Sequence, residues 1–200
     1  MILTDMTGLV GIAFAVAVLL VRLLGAKYLS RVAGFLLVGI LMVIALLPVI
    51  QGLSLAGYLR GYVGDLSVTT WVLMSVILLG KSKSLVSQQY DLLVLVAVTA
   101  LIFYPLALGL GLFDPYRLGF GHIGFMVSLL LLSLWCVYQQ KNLIVWSICL
   151  ALFAWTVGWS ESNNMWDYLI DPWLSIYAVG AMIRHLWCKV VTRKIQVRHV

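Results

Sequence analysis

LLVLVAVTALIFYPLALGLGLF, from Leu92 to Phe113, runs for 22 residues without a charge. About 20 predominantly apolar residues suffice for a helix to cross the hydrocarbon core of a bilayer, whereas strands of a membrane barrel alternate over about ten. The unbroken apolar character therefore predicts a spanning helix. Working outward, the same reading recurs at Gly8 to Leu24, Val32 to Leu53, Leu66 to Gly80, Ile123 to Tyr138, Leu143 to Trp159 and Trp173 to Trp187. The expected fold is all-α, a polytopic transmembrane bundle of about seven helices. Several runs fall short of about 20 residues, which implies a thin local bilayer, little tilt, or helices that begin before the apolar stretch.

Composition points the same way. With 64% hydrophobic and 10% charged residues, a water-soluble domain would expose large apolar patches. Seven helices consume nearly all of the 200 residues, so the division expected is a single transmembrane domain over 1–188 and a basic cytoplasmic tail over 189–200. Cys136 and Cys149 fall inside apolar runs and Cys188 at a run end, positions that suit packing better than an external disulfide.

The charges orient the bundle. Placing the N-terminus outside puts Arg22, Lys27, Arg31, Lys81, Lys83, Lys141, Arg184, Lys189, Arg193, Lys194 and Arg198 on the cytoplasmic side and leaves Arg60 and Arg117 outside, a split of 11 to 2. Asp5, Asp65, Asp114, Glu161, Asp167 and Asp171 gather outside, and Asp91 inside. If the last run merely lay on the surface, its five trailing cations would cross over and the split would become 6 to 7. The C-terminus is thus expected in the cytoplasm and the N-terminus outside. Asp5 near the start and Arg22 at the end of the first run argue against a cleaved signal peptide, so the first helix is expected to stay. Tyr28, Tyr58, Tyr62, Tyr90, Tyr138, Trp159, Trp166, Trp173 and Trp187 sit near run ends, as interfacial anchors do. The tail KVVTRKIQVRHV, with four cations and His199, suits anionic headgroups. Membrane lipids are the expected partners, together with another copy of the chain or an envelope protein; nucleic acid is not.

Candidate site residues concentrate on the outer side. Ser54 to Asp65, SLAGYLRGYVGD, is too apolar for a plain loop and too interrupted by Gly57, Gly61 and Gly64 for a regular span. A segment of this kind can dip back into the bundle, where only a cavity or protein satisfies its backbone. Alternatively Arg60 points into the headgroups and Asp65 caps the third helix. The other outer loops are DPYRLGFGH, Asp114 to His122, and SESNNMWDYLIDP, Ser160 to Pro172. Each contains Asp-Pro, which starts a helix well, so Asp114 and Asp171 have a capping role available. If Met165 to Asp171 is helical, Asp167 and Asp171 share a face and call for a cation from Arg60, Arg117 or His122. Two arrangements follow. Arg60, Tyr62, Asp65, Asp114, Arg117, His122, Trp166, Asp167 and Asp171 form an outward polar pocket for a lipid headgroup or small solute, or the charges simply pair across neighbouring loops.

Catalysis finds little support. Gly119, Gly121 and Gly124 match a G-x-G-x-x-G spacing, but no strand precedes them. Metal ligands are not clustered, no serine sits in a nucleophile elbow, and no cofactor is expected. Pro48 and Pro105 are read as interruptions of the second and fourth helices, with Gly109 and Gly111 loosening the end of the latter, a pattern that suits either a transport pathway or close packing.

Arg60-Gly61-Tyr62-Val63-Gly64-Asp65, followed by an apolar helix, resembles a segment in a family of small bacterial membrane proteins of unknown function. The whole chain, with its length, outer acidic loop and basic tail, resembles the small uncharacterised inner-membrane proteins of Acinetobacter and its relatives. That resemblance implies a part in maintaining the envelope permeability barrier and brings no catalytic residues; with no catalytic constellation in the sequence, the role expected is non-enzymatic. The reading kept beside it is a small transporter or lipid-handling permease component.

Overall fold

The computed structural model describes residues 2–24, 30–50, 52–79 and 83–198. Among them are nine α-helices: α1 Ile2–Leu23, α2 Arg31–Leu46, α3 Leu55–Val63, α4 Val68–Leu79, α5 Lys83–Ala107, α6 Ile123–Tyr138, α7 Asn142–Thr156, α8 Met165–Leu169 and α9 Pro172–Arg198. Two short strands, β1 Pro48–Ile50 and β2 Leu53–Ser54, form an antiparallel hairpin between α2 and α3, and a 3-10 turn spans Pro115–Gly119. The fold is all-α apart from that hairpin. Each apolar run of the sequence overlaps one of the longer helices, while α3 and α8 are short helices in the connections.

Contacts at helix ends define two poles. At the first, Asp5 near the start of α1 meets Arg60 of α3, Trp173 Nε1 at the start of α9 donates to the Val63 carbonyl, and the Trp166 ring of α8 lies 4.5 Å from Phe103 near the end of α5 and 4.6 Å from Phe125 at the start of α6. At the opposite pole the Leu143 amide that opens α7 donates to Gln88 Oε1 of α5. There also Lys141 Nζ lies 3.5 Å from Asp91 and the rings of Tyr90 and His185 stand 4.3 Å apart. Consecutive long helices therefore alternate in direction.

Apolar packing divides into two bodies joined at α4. Ile12, Ala13, Ala45 and Ala56, with Ala17, Val18, Val21 and Val38, knit α1, α2 and α3 together. Leu92, Val96, Phe103, Phe125, Ile144, Ile148 and Tyr168 belong to a larger core of α4 through α9. Leu73 and Val76 of α4 face that larger core, whereas Met74, Ile77 and Leu78 pack towards α1 and α2.

Several boundaries differ from the sequence reading. The run Val32 to Leu53 is not one helix: α2 stops at Leu46, and Pro48, which has no amide hydrogen to continue the ladder, opens β1 instead of interrupting a helix. The run Leu92 to Phe113 is shifted, since α5 starts at Lys83 and ends at Ala107, with Gly109 taking a left-handed φ of +88° beyond it. Pro105 does lie inside this helix, in its last turn. Two helical segments, Thr4–Leu23 and Ser84–Ala107, are long and apolar enough to cross a membrane. Val32–Leu46, Val68–Leu79, Ile123–Tyr138 and Asn142–Thr156 are apolar but shorter. The backbone of α9 continues through the basic stretch to Arg198. The charges of Lys27, Arg31, Lys81, Lys83, Arg193, Lys194 and Arg198, the ring of Tyr28, and His199 lie outside the described residues and side chains.

A candidate polar site at one pole of the bundle

SLAGYLRGYVGD is a capped helix rather than an irregular loop. Ser54 Oγ accepts from the Gly57 amide to start α3, and Gly64, at φ +76°, ends it by returning its amide to the Arg60 carbonyl. Ala56 is fully buried against α1. The sharp exit at Gly64 turns Asp65 back along the helix to Arg60. Arg60 Nε lies 2.6 Å from Asp65 Oδ1 and Nη2 lies 3.1 Å from Oδ2, a two-point fork. The remaining donors reach Asp5 Oδ1 at 3.1 Å and Glu161 Oε1 at 3.0 Å. One guanidinium, only 18% exposed, thus ties α1, α3 and the connection after α7 together. Arg60 is therefore turned to its carboxylates and not outward to headgroups, and Asp65 does not cap the next helix. Ser67 caps α4 by accepting from the Thr70 amide, and Asp65 is committed to Arg60 and to the Ser160 hydroxyl. Hydrogen bonding to Asp65, against the opposing effect of burial, holds the Arg60 pKa above its ordinary value.

Gly8 permits this lock. A side chain at position 8 would run into the Arg60 guanidinium and the Asp65 carboxylate. Alanine normally helps a helix by about 1 kcal/mol relative to glycine. Gly34→Ala on α2, where nothing lies within 4 Å, is therefore expected to raise the melting temperature in detergent, whereas Gly8→Ala should lower it, overpacking costing about 1–3 kcal/mol. Equal gains from both would remove the close approach.

Asp171 forms a second knot and is 3% exposed. Its Oδ1 accepts from the Leu174 amide, 2.8 Å away, which is the capping role that Asp-Pro suggests. Its Oδ2 accepts from the Ser67 amide at 3.1 Å, the Ser67 hydroxyl at 2.7 Å and the Thr70 hydroxyl. The expected Asp167–Asp171 pair on one helical face does not form, because α8 stops at Leu169 and Ile170 is extended. Asp167 instead accepts from Tyr116 Oη, 2.9 Å away, and from Ser162 Oγ. Burial, reinforced by Asp167, raises the Tyr116 pKa, and burial likewise raises that of Tyr168, whose hydroxyl meets the Ser160 and Ser162 carbonyls.

A cleft of about 460 Å³ lies beside these knots, bordered by Asp65, Asp114, Glu161, Asp167, Asp171 and Trp166. Asp114 caps the 3-10 turn through the Tyr116 amide, and Trp166 Nε1 donates to the Pro115 carbonyl. Besides Arg60, which is turned to its carboxylates, three candidates stand apart from the cleft. Tyr62 is 88% exposed and faces away, Arg117 is exposed on the 3-10 turn, and His122 caps α6 by accepting from the Gly124 amide. The glycine spacing has a packing basis too, since a side chain at Gly119 would strike Asn164. Asp5, Glu161, Ser67, Thr70 and Tyr116 belong to the pole although the sequence reading did not select them. The S-x-x-T spacing at the head of an apolar run was the available signal for Ser67 and Thr70. Among the described residues no group of three or more His, Cys, Asp or Glu is arranged to hold a metal ion. Comparison with protein-family models, curated proteins and solved structures yields no match.

Proposed function

We propose that the chain is a non-enzymatic, multi-pass protein of a bacterial inner membrane that supports envelope organisation or the permeability barrier. In this reading α1, α2, α4, α5, α6, α7 and α9 are the spans, the N-terminus lies outside and the C-terminus in the cytoplasm. The observation that carries it is the outer surface of the bundle. Leu36, Ile40 and Val43 of α2, Leu130 and Leu134 of α6, Leu150 and Phe153 of α7, and Ile176 and Ile183 of α9 are all exposed. Apolar stripes on so many faces suit acyl chains and not water. Orientation draws on the poles: Asp5, Asp65, Glu161, Asp167 and Asp171 stand at one, and Arg22, Lys141, Arg184 and Lys189 lie towards the other.

Arg60 spends its donors on three carboxylates, so it is a structural tie and not a capture group. What stays open to a lipid headgroup or small solute is the neighbouring cleft, whose carboxylates suit a positively charged group. Lipids, a second copy or an envelope protein would meet the apolar faces. The resemblance to inner-membrane proteins of Acinetobacter supports the barrier role. A small transporter or lipid-handling permease component is the second reading, favoured by Pro105 within α5 next to Tyr104 of the cleft.

Alkaline phosphatase fused after Val200 should be inactive, since that enzyme matures only in the periplasm; activity would overturn the threading. Disruption of the gene should increase entry of a hydrophobic dye, with rescue by the intact chain. Unchanged entry would end the barrier assignment.

A further inference from the structure

We propose that an apolar crevice between α1, α4 and the α5–α9 pair holds one acyl chain of an anionic phospholipid, its phosphate at Arg22. This rests on the membrane reading above. The crevice encloses about 620 Å³ and is walled by Ala15 and Leu19 of α1, Leu73 and Ile77 of α4, Leu93 of α5 and Tyr177 of α9. It arises because the two bodies of the fold meet chiefly where α4 packs on α7 and α8, while α1 stands off from α5 and α9. Along α1 its lining runs from Ile12 to Arg22, about 15 Å at the helical rise. That is about half of a hydrocarbon core some 30 Å thick, the depth one leaflet's chains fill. A gap this size left empty would forfeit dispersion contacts on every wall.

Charge selects the headgroup. Arg22 and Gln89 are the polar lining at the cytoplasmic end. Among the described residues Arg22 makes no ion pair, and Asp91, the acid at that pole, is paired with Lys141. An exposed guanidinium at the mouth of a chain-deep apolar slot matches a phosphodiester with a tail below it.

The test is native mass spectrometry of the intact protein released from micelles containing phosphatidylglycerol or phosphatidylcholine. One retained phospholipid is expected, with phosphatidylglycerol preferred. Arg22→Gln should reduce that preference about fivefold, the worth of one cation near the surface. Ala15→Phe, which fills the slot, should abolish retention of both lipids, and Leu19→Trp on the exposed rim repeats the test should Ala15→Phe misfold. Equal retention of the two lipids, retention by a folded slot-filling variant, or a second protein chain in place of lipid would each overturn the proposal. A chain that needs detergent and keeps its C-terminus cytoplasmic yet retains no lipid sinks the crevice alone. Solubility without detergent sinks the membrane reading first.

Discussion

Arg60→Ala is expected to lower the unfolding free energy by about 2 kcal/mol, less than the cost of removing one partner from a fully buried ion pair, because the cluster is only partly buried. The loss comes from what remains: Asp5, Asp65 and Glu161 converge on one point with no guanidinium between them. Exposure apportions the effect. Glu161 and Asp5 are 58% and 49% exposed, so water takes over much of their solvation, whereas Asp65 is 24% exposed and holds the fork. Glu161→Gln and Asp5→Asn should each change stability little, and Asp65→Asn distinctly more. Arg60→Lys keeps the charge but loses the two-point geometry, and its stability should fall between the wild type and the alanine variant. Alkaline pH should not mimic these variants. The folded pKa of Arg60 is raised above its ordinary value, so its contribution is fully present throughout the range in which a free guanidinium is protonated. Denaturant unfolding in a fixed detergent checks the series; an alanine variant as stable as wild type would remove the lock.

The longer helices were legible because continuous hydrophobicity does not depend on tertiary context. Where helix boundaries depart from the apolar runs, local chemistry outweighs composition. Ser84, Gln88 and Asp91 lowered the apparent apolarity of the first turns of α5, yet each is compatible with a helix, and Gln88 is used to satisfy the Leu143 amide. At Leu47 and Pro48 hydrophobicity persisted while the backbone could not remain helical. In the site, Arg60 and Asp65 stood out as charges beside apolar runs, but nothing in their spacing revealed Glu161 as a third party, 101 residues away. Asp5 was visible only as an orientation signal. Long-range convergence of this sort depends on which helices neighbour one another, and no periodicity encodes that. Asp171 was legible for the half of its role that is local, the cap, and opaque for the half that reaches Ser67 and Thr70.

That second half makes Asp171→Ala the other large expected loss, about 3 kcal/mol or more. Removal of the cap accounts for about 1 kcal/mol, and a buried amide left without an acceptor costs about 1–3 kcal/mol. The amide in question is that of Ser67, fully buried and directed at Asp171 Oδ2. Hydroxyls can turn to new acceptors, but a backbone N–H at a helix start cannot. Asp171→Asn separates the two roles. Its carbonyl oxygen can still cap α9, while its amide nitrogen would face the Ser67 amide, donor against donor, so most of the loss should persist. Asp114→Asn is the control, an exposed cap that asparagine replaces well, with little change expected. Because α4 faces both packed bodies, loosening its first turn should also speed amide exchange at Ser67 and Leu174 together, ahead of global unfolding. If Asp171→Asn proves as stable as the wild type, with exchange at those two amides unchanged, the link between α4 and α9 carries no free energy, and Asp171 is reduced to a cap.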